Sequence, residues 1–139
     1  MVDQHVIASR LSVLEGYRAR LEAFRGMSRE GFIHDEDSHL LAERLLHLAC
    51  ECMLDVAQHV ISDLGLRQPE GYRDTMQVLL EEGILEEGLA AQLKDWMGFR
   101  NVLVHLYLAI DHGKCWDVIQ NDLGHLEAFA ARMVRFLED

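Results

Sequence analysis

The stretch from about Asp37 to Leu64 constrains the fold more than any other part of the chain. It contains no proline and is closed by Gly65, the residue type that most often ends a helix. Leu41, Leu45, Leu48, Cys52, Val56 and Val60 recur at three- and four-residue steps, the spacing of one helix face. Leu46, Ala49, Met53, Leu54, Ala57 and Ile61 make much of the remaining surface apolar as well. A helix apolar on most sides belongs at the centre of a structure, packed by several neighbours or by a partner subunit. Asp37 or Ser38 can cap its start.

The rest of the chain repeats that period, and no segment alternates in the manner of a strand. A first helix is expected over about Asp3–Arg25, with Ile7, Leu11, Leu14, Tyr17 or Arg18, Leu21 and Phe24 inward, and the Gly26–Gly31 stretch as its stop. After the turn Pro69-Glu70-Gly71, a short helix is expected over about Tyr72–Glu82, with Met76, Leu79 and Leu80 inward. A fourth begins near Glu86 and ends before Asp111-His112-Gly113, with Leu89, Leu93, Trp96, Met97, Leu103 and Val104 on its apolar face. A last helix runs from about Lys114 to the end, with Trp116, Ile119, Leu123, Leu126, Ala130, Met133 and Leu137 inward. The expected fold is all-α, an antiparallel bundle of about five helices forming one domain over residues 1–139, with surface to spare for a dimer.

Composition narrows the function. Lys plus Arg come to 13 and Asp plus Glu to 24, a net charge of −11. A surface this acidic repels a phosphate backbone, which argues against DNA and against general nucleic-acid binding, though not against a small basic site. No apolar run is long enough to span a bilayer, and the start, Met1-Val2-Asp3-Gln4-His5, lacks the basic and apolar stretches of a signal peptide. A cytoplasmic protein without membrane contact is expected. The odd cysteine count (Cys50, Cys52 and Cys115) fits a reducing compartment, with the thiols packed as small hydrophobes. His34 and His39 flank the acidic Asp35-Glu36-Asp37, and His47 and His59 share a helix, but no two histidines are four apart. No metal site and no cofactor are expected.

Chemistry concentrates in Gly98-Phe99-Arg100-Asn101-Val102-Leu103-Val104-His105-Leu106-Tyr107. Arg, Asn, His and Tyr fall within eight residues of an otherwise apolar helix. An arginine among Trp96, Met97, Leu103 and Val104 needs a polar partner. At 100° per residue Asn101 and His105 share a face, whereas Arg100 and His105 point about 140° apart. One straight helix does not aim both at the same phosphate. Convergence requires a helix end or bend near His105, or a second copy of the site across a dimer axis. By themselves these residues are also explained by a core histidine beside a surface arginine.

The run Arg100-x4-His105-x-Tyr107, with Asn101 directly after the arginine, resembles the signature of the HEPN superfamily, and within it the HepT-like toxins of bacterial toxin–antitoxin pairs. Glu43 through Asp55 to Ile61, Gly65 through Arg73, and Leu108-Ala109-Ile110-Asp111 resemble the family too, so the likeness covers nearly the whole chain. Leu106 departs from it, standing where many relatives carry an acidic residue.

The resemblance implies a dimer with two Arg–His pairs facing one cleft, and metal-independent cleavage of RNA. His105 would move the proton of the 2′-hydroxyl or of the leaving oxygen, and Arg100 would hold the phosphate. Asn101 would donate to a phosphate oxygen or orient His105. It also implies a nucleotidyltransferase antitoxin that attaches AMP to Tyr107. Glu43 and Asp55 stand as cleft or interface groups, or as ion-paired carboxylates. The competing reading is a non-catalytic bundle that binds a nucleotide or pairs with a nucleotidyltransferase.

Overall fold

The computed structural model describes residues 2–139, leaving Met1 of the N-terminal reading outside. The described residues form seven α-helices and one 3-10 turn, with no strand: α1 Gln4–Glu22, α2 Arg29–His34, α3 Glu36–Leu64, α4 Tyr72–Glu81, α5 Glu87–His105, the turn Tyr107–Ala109, α6 His112–Asn121 and α7 Gly124–Glu138.

The central position of α3 follows from its two apolar faces. Ala42, Leu45, Ala49, Met53, Val56 and Val60 are buried on one, and Leu46, Cys50, Leu54, Ala57 and Ile61 on the next. These faces let α3 pack against α1, α2, α4, α5 and α6. Asp35 caps its start by accepting from the Ser38 N–H, and Gly65 closes it in the left-handed conformation at φ 65°. The stripe read from Leu41 to Val60 is more open than its apolar residues imply: Leu45, Val56 and Val60 are buried, but not the rest. Leu41 is exposed, and Leu48 and Cys52 are only half-buried.

α1 buries Ile7, Leu11, Leu14 and Leu21, as its period predicts. Tyr17 and Arg18 are both half-buried, and Arg18 is tied to Glu15, Glu22 and Glu127. α4 turns Val78 fully inward, while Leu80 stays half-buried.

The bundle departs from five helices at three points. α2 forms where the Gly26–Gly31 stretch reads as loop, because Ser28 caps it by accepting from the Gly31 N–H and Phe32 drops wholly into the core. The expected last helix breaks at Asp122–Leu123 into α6, which packs on α2 and α3, and α7, which packs on α1 and α5. α5 ends at His105, well short of Asp111. No helix among the described residues is long and apolar enough to cross a membrane.

Candidate functional site

The early end of α5 shapes the site. Its last helical residue is His105, and Leu106 leaves the helical region at φ −118°, ψ 38°. The chain then makes the 3-10 turn at Tyr107–Ala109 and enters α6, capped by Asp111, whose carboxylate accepts from the Lys114 N–H. His105 therefore sits exposed at a helix terminus. With Asn101, Val102, Leu106, Gly71 and Tyr72 it lines an open groove of about 490 Å³. A helix end at this point is one of the two arrangements that the angular argument requires.

Arg100 lies one turn back and points into the protein. It is 8 % exposed, and its Nε donates to Glu51 Oε1 at 2.6 Å. Its Nη1 donates to Asn101 Oδ1 at 3.3 Å. The guanidinium carbon stands 4.5 Å from the Tyr72 ring centroid, a cation–π contact. A buried arginine is costly without such partners. Here α3 supplies the counter-charge, the start of α4 supplies the aromatic face, and α5 supplies the amide. No hydrogen bond joins Arg100 to His105 among the described residues.

His47, one turn before Glu51, extends the cluster. Its Nε2 lies 3.4 Å from Glu51 Oε1, and its Nδ1 meets Arg44 Nη1 at 3.0 Å. Burial holds its imidazole below the ordinary histidine range. Glu51 pulls in the opposite direction, and the Arg44 and Arg100 charges reinforce the burial. Facing Arg44, a donor only, the neutral ring presents Nδ1 as acceptor and Nε2–H as the donor toward Glu51.

Tyr107 is 67 % exposed on the 3-10 turn, two residues beyond His105. Leu106 and Leu108 beside it are exposed as well, Leu108 by 92 %. The end of the motif is thus an apolar knob around one accessible phenol.

Of the sequence-expected site residues, the structure gathers Arg100 with Asn101, and Asn101 with His105, and sets Tyr107 at the groove's edge. Glu43 and Asp55 do not join them. Asp55 pairs with Arg10 at 2.7 Å and His59 at 3.3 Å, and Glu43 faces His39 and His112. Glu51, His47 and Tyr72 escaped the sequence reading. His47 and Glu51 are the only strongly polar residues between Leu45 and Leu54, a signal that was available. Tyr72 carried no such signal, because its role depends on where α4 starts. Cys50 and Cys115 are buried, whereas Cys52 is half-buried.

The chain matches the family model described as Ribonuclease HepT-like over residues 14–133. It is 32 % identical over 103 residues to the putative RNase YutE of Bacillus subtilis, covering 74 % of this chain and 72 % of YutE. The solved structure of YutE, a cytosolic protein, superposes with a TM-score of 0.87 at 28 % identity, over 99 % of this chain and 92 % of that one. The tRNA nuclease HepT of Aphanizomenon flos-aquae is 27 % identical over 139 residues, 98 % of this chain and 92 % of that protein. A tri-AMPylated HEPN toxin of Shewanella oneidensis, solved in complex with its MNT antitoxin, shares the fold at a TM-score of 0.87 and 22 % identity, over 96 % of this chain and 99 % of that one. The match over residues 14–133 and these likenesses make the chain a member of the HepT-like ribonuclease family, and its all-helical architecture is that of the HEPN fold.

Proposed function

We propose that this protein is the toxin of a bacterial toxin–antitoxin pair, a metal-independent endoribonuclease silenced by AMP transfer to Tyr107. One observation carries the reading: α5 ends at His105, which exposes that imidazole in a groove shared with Asn101, while Arg100 is held one turn behind by Glu51 and Tyr72. The names of the relatives support the reaction class, and the AMPylated toxin–antitoxin complex supports the partner.

Cleavage without metal uses the RNA's own 2′-hydroxyl. His105 accepts its proton, the oxygen attacks phosphorus, and the 5′-oxygen leaves with a proton returned to it. The products are a 2′,3′-cyclic phosphate and a 5′-hydroxyl. A dimer places a second His105 at the same cleft, so one imidazole serves as base and the other as acid. Arg100 Nη2, unlike Nε and Nη1, has no hydrogen-bond partner among the described residues and is the donor left for the phosphate and the charge that builds on it. An AMP attached through a phosphodiester to Tyr107 adds a negative group beside His105, blocking the cleft by bulk and repulsion.

The competing reading, a non-catalytic partner-binding subunit, draws on the closed state of Arg100, whose charge is already matched by Glu51. One experiment separates the two. The protein is expressed with and without its nucleotidyltransferase neighbour, and growth, RNA cleavage in EDTA and intact mass are followed. Growth arrest and metal-free cleavage are expected alone, both lost in His105→Ala, and an AMP-sized mass on the Tyr107 peptide is expected in the neutralised pair. Equal toxicity of His105→Ala would sink the ribonuclease.

A further inference from the structure

A second polar cluster lies away from Arg100 and His105, where the start of α6 meets the first turns of α3. His39 and Glu43 are four residues apart on α3, and both are buried. His112 is the first residue of α6 and half-buried. Its Nδ1 hydrogen-bonds Glu43 Oε2. His39 Nδ1 lies 3.8 Å from the same oxygen. The two imidazoles are stacked, with centroids 3.8 Å apart and planes 26° apart. Ligand-capable atoms of the three side chains all fall within 4.8 Å of one another.

Two features of this cluster are unbalanced by protein groups alone. Glu43 is a carboxylate with 8 % of its side chain exposed, and among the described residues no lysine or arginine bonds it. His39 Nδ1 is fully buried and has no hydrogen-bond partner, although leaving a buried polar atom without one is costly. A proton on His112 satisfies Glu43 and leaves His39 Nδ1 orphaned. A single cation at the point shared by the three groups would take lone pairs from both imidazoles and neutralise the carboxylate.

We propose that His39, Glu43 and His112 form a binding site for a divalent first-row transition metal, with zinc as the ion best suited to the donors. Two imidazole nitrogens and one carboxylate oxygen make an N2O set that fits zinc and is too poor in oxygen for calcium or magnesium. Tetrahedral zinc, with bonds of about 2.0–2.2 Å, needs these atoms roughly 3.3–3.5 Å apart. In the stacked arrangement the in-plane lone pairs of the two rings run nearly side by side, so binding requires one ring to swing out of the stack. His112, at the first turn of a helix and partly open to solvent, is the member free to do so. Its exposed side leaves room for water as the fourth ligand. Cys115 lies buried on the same side of α6. The ion touches none of the groups assigned to RNA. It would fasten α6 to α3 across 69 residues of sequence and so fix the far end of the loop that carries Tyr107.

The test uses the untagged full-length chain, stripped with chelator. Zinc titration by calorimetry, with cobalt as a spectroscopic probe, is expected to give one ion per chain, tetrahedral visible bands and a higher melting temperature. His112→Ala and Glu43→Gln are each expected to weaken zinc at least tenfold and abolish the thermal shift, while His34→Ala, at an exposed histidine, changes neither. Circular dichroism establishes that the variants are folded, and His112→Ala, half-buried at a helix start, suffices if Glu43→Gln is not. Absence of stoichiometric binding, or binding that survives His112→Ala unchanged, overturns the proposal.

Discussion

Arg100 is almost entirely enclosed, yet the proposed function asks it to meet a phosphate, and the conflict is resolved by what holds it. Glu51 fixes Nε and Tyr72 covers one face, so the fork is set before RNA arrives and little rotamer entropy is left to lose. Glu51→Ala is expected to cost about 1 kcal/mol of stability, since the carboxylate is 41 % exposed and screened by water. It is expected to lower kcat less than Arg100→Ala, which removes the charge itself and costs roughly 10²–10³-fold. Single-turnover cleavage of one RNA by both variants checks the order. His47 gives a pH signature. Burial keeps its folded-state pKa below the unfolded value of about 6.5, so the unfolded chain binds its proton first as pH falls. Its contribution is complete above about pH 6.5 and is lost as pH drops toward the folded value. Denaturant unfolding at about pH 7.5 and 5.5 is expected to show a smaller loss of stability in His47→Gln than in the parent chain.

Among the elements, the break after His105 has the largest consequence and the weakest local cause. The residues beyond it, Leu106, Tyr107 and Leu108, carry no glycine or proline, and their period continues that of α5. The stop is imposed from beyond, because Asp111 starts a new helix and His112 is tethered to Glu43. α2 lay outside the expectation for a different reason: its single buried aromatic, Phe32, is too little pattern to read in a six-residue helix. Asp111→Ala removes the cap of α6 and is expected to cost about 1 kcal/mol, a fall in melting temperature of about 4 °C by calorimetry. Where the period runs for many turns, as in α1 and α3, most inward residues follow from spacing, with Leu41, Leu48 and Cys52 as the exceptions. Where a helix is short or its neighbour sets its end, they do not.

For the whole molecule, charge and apolar surface point in different directions. The acidic body disfavours nucleic acid, whereas Leu40, Leu41, Leu106, Tyr107 and Leu108 leave apolar surface uncovered. The proposed function calls for a second copy of the chain, which would bring two Arg100–His105 sets to one cleft. Light scattering is expected to give twice 15.9 kDa. With one phosphate held per site, RNA affinity is expected to fall with salt at a log–log slope no steeper than about −1.4 for the pair. A steeper slope would mean a basic surface beyond the two arginines.

The sequence by itself determined the helical class, the central place of α3, the inward faces of the long helices and the motif Arg100–Asn101–His105–Tyr107. These follow from local spacing and residue chemistry, which tertiary contacts do not alter. The tertiary structure decided where α5 stops, which carboxylate holds Arg100, and that His39, Glu43 and His112 meet. Each depends on groups far apart in the chain: 49 residues separate Arg100 from Glu51, and 69 separate His112 from Glu43. Helical periodicity fixes the direction of a side chain on its own helix and says nothing about what the neighbouring helix presents to it.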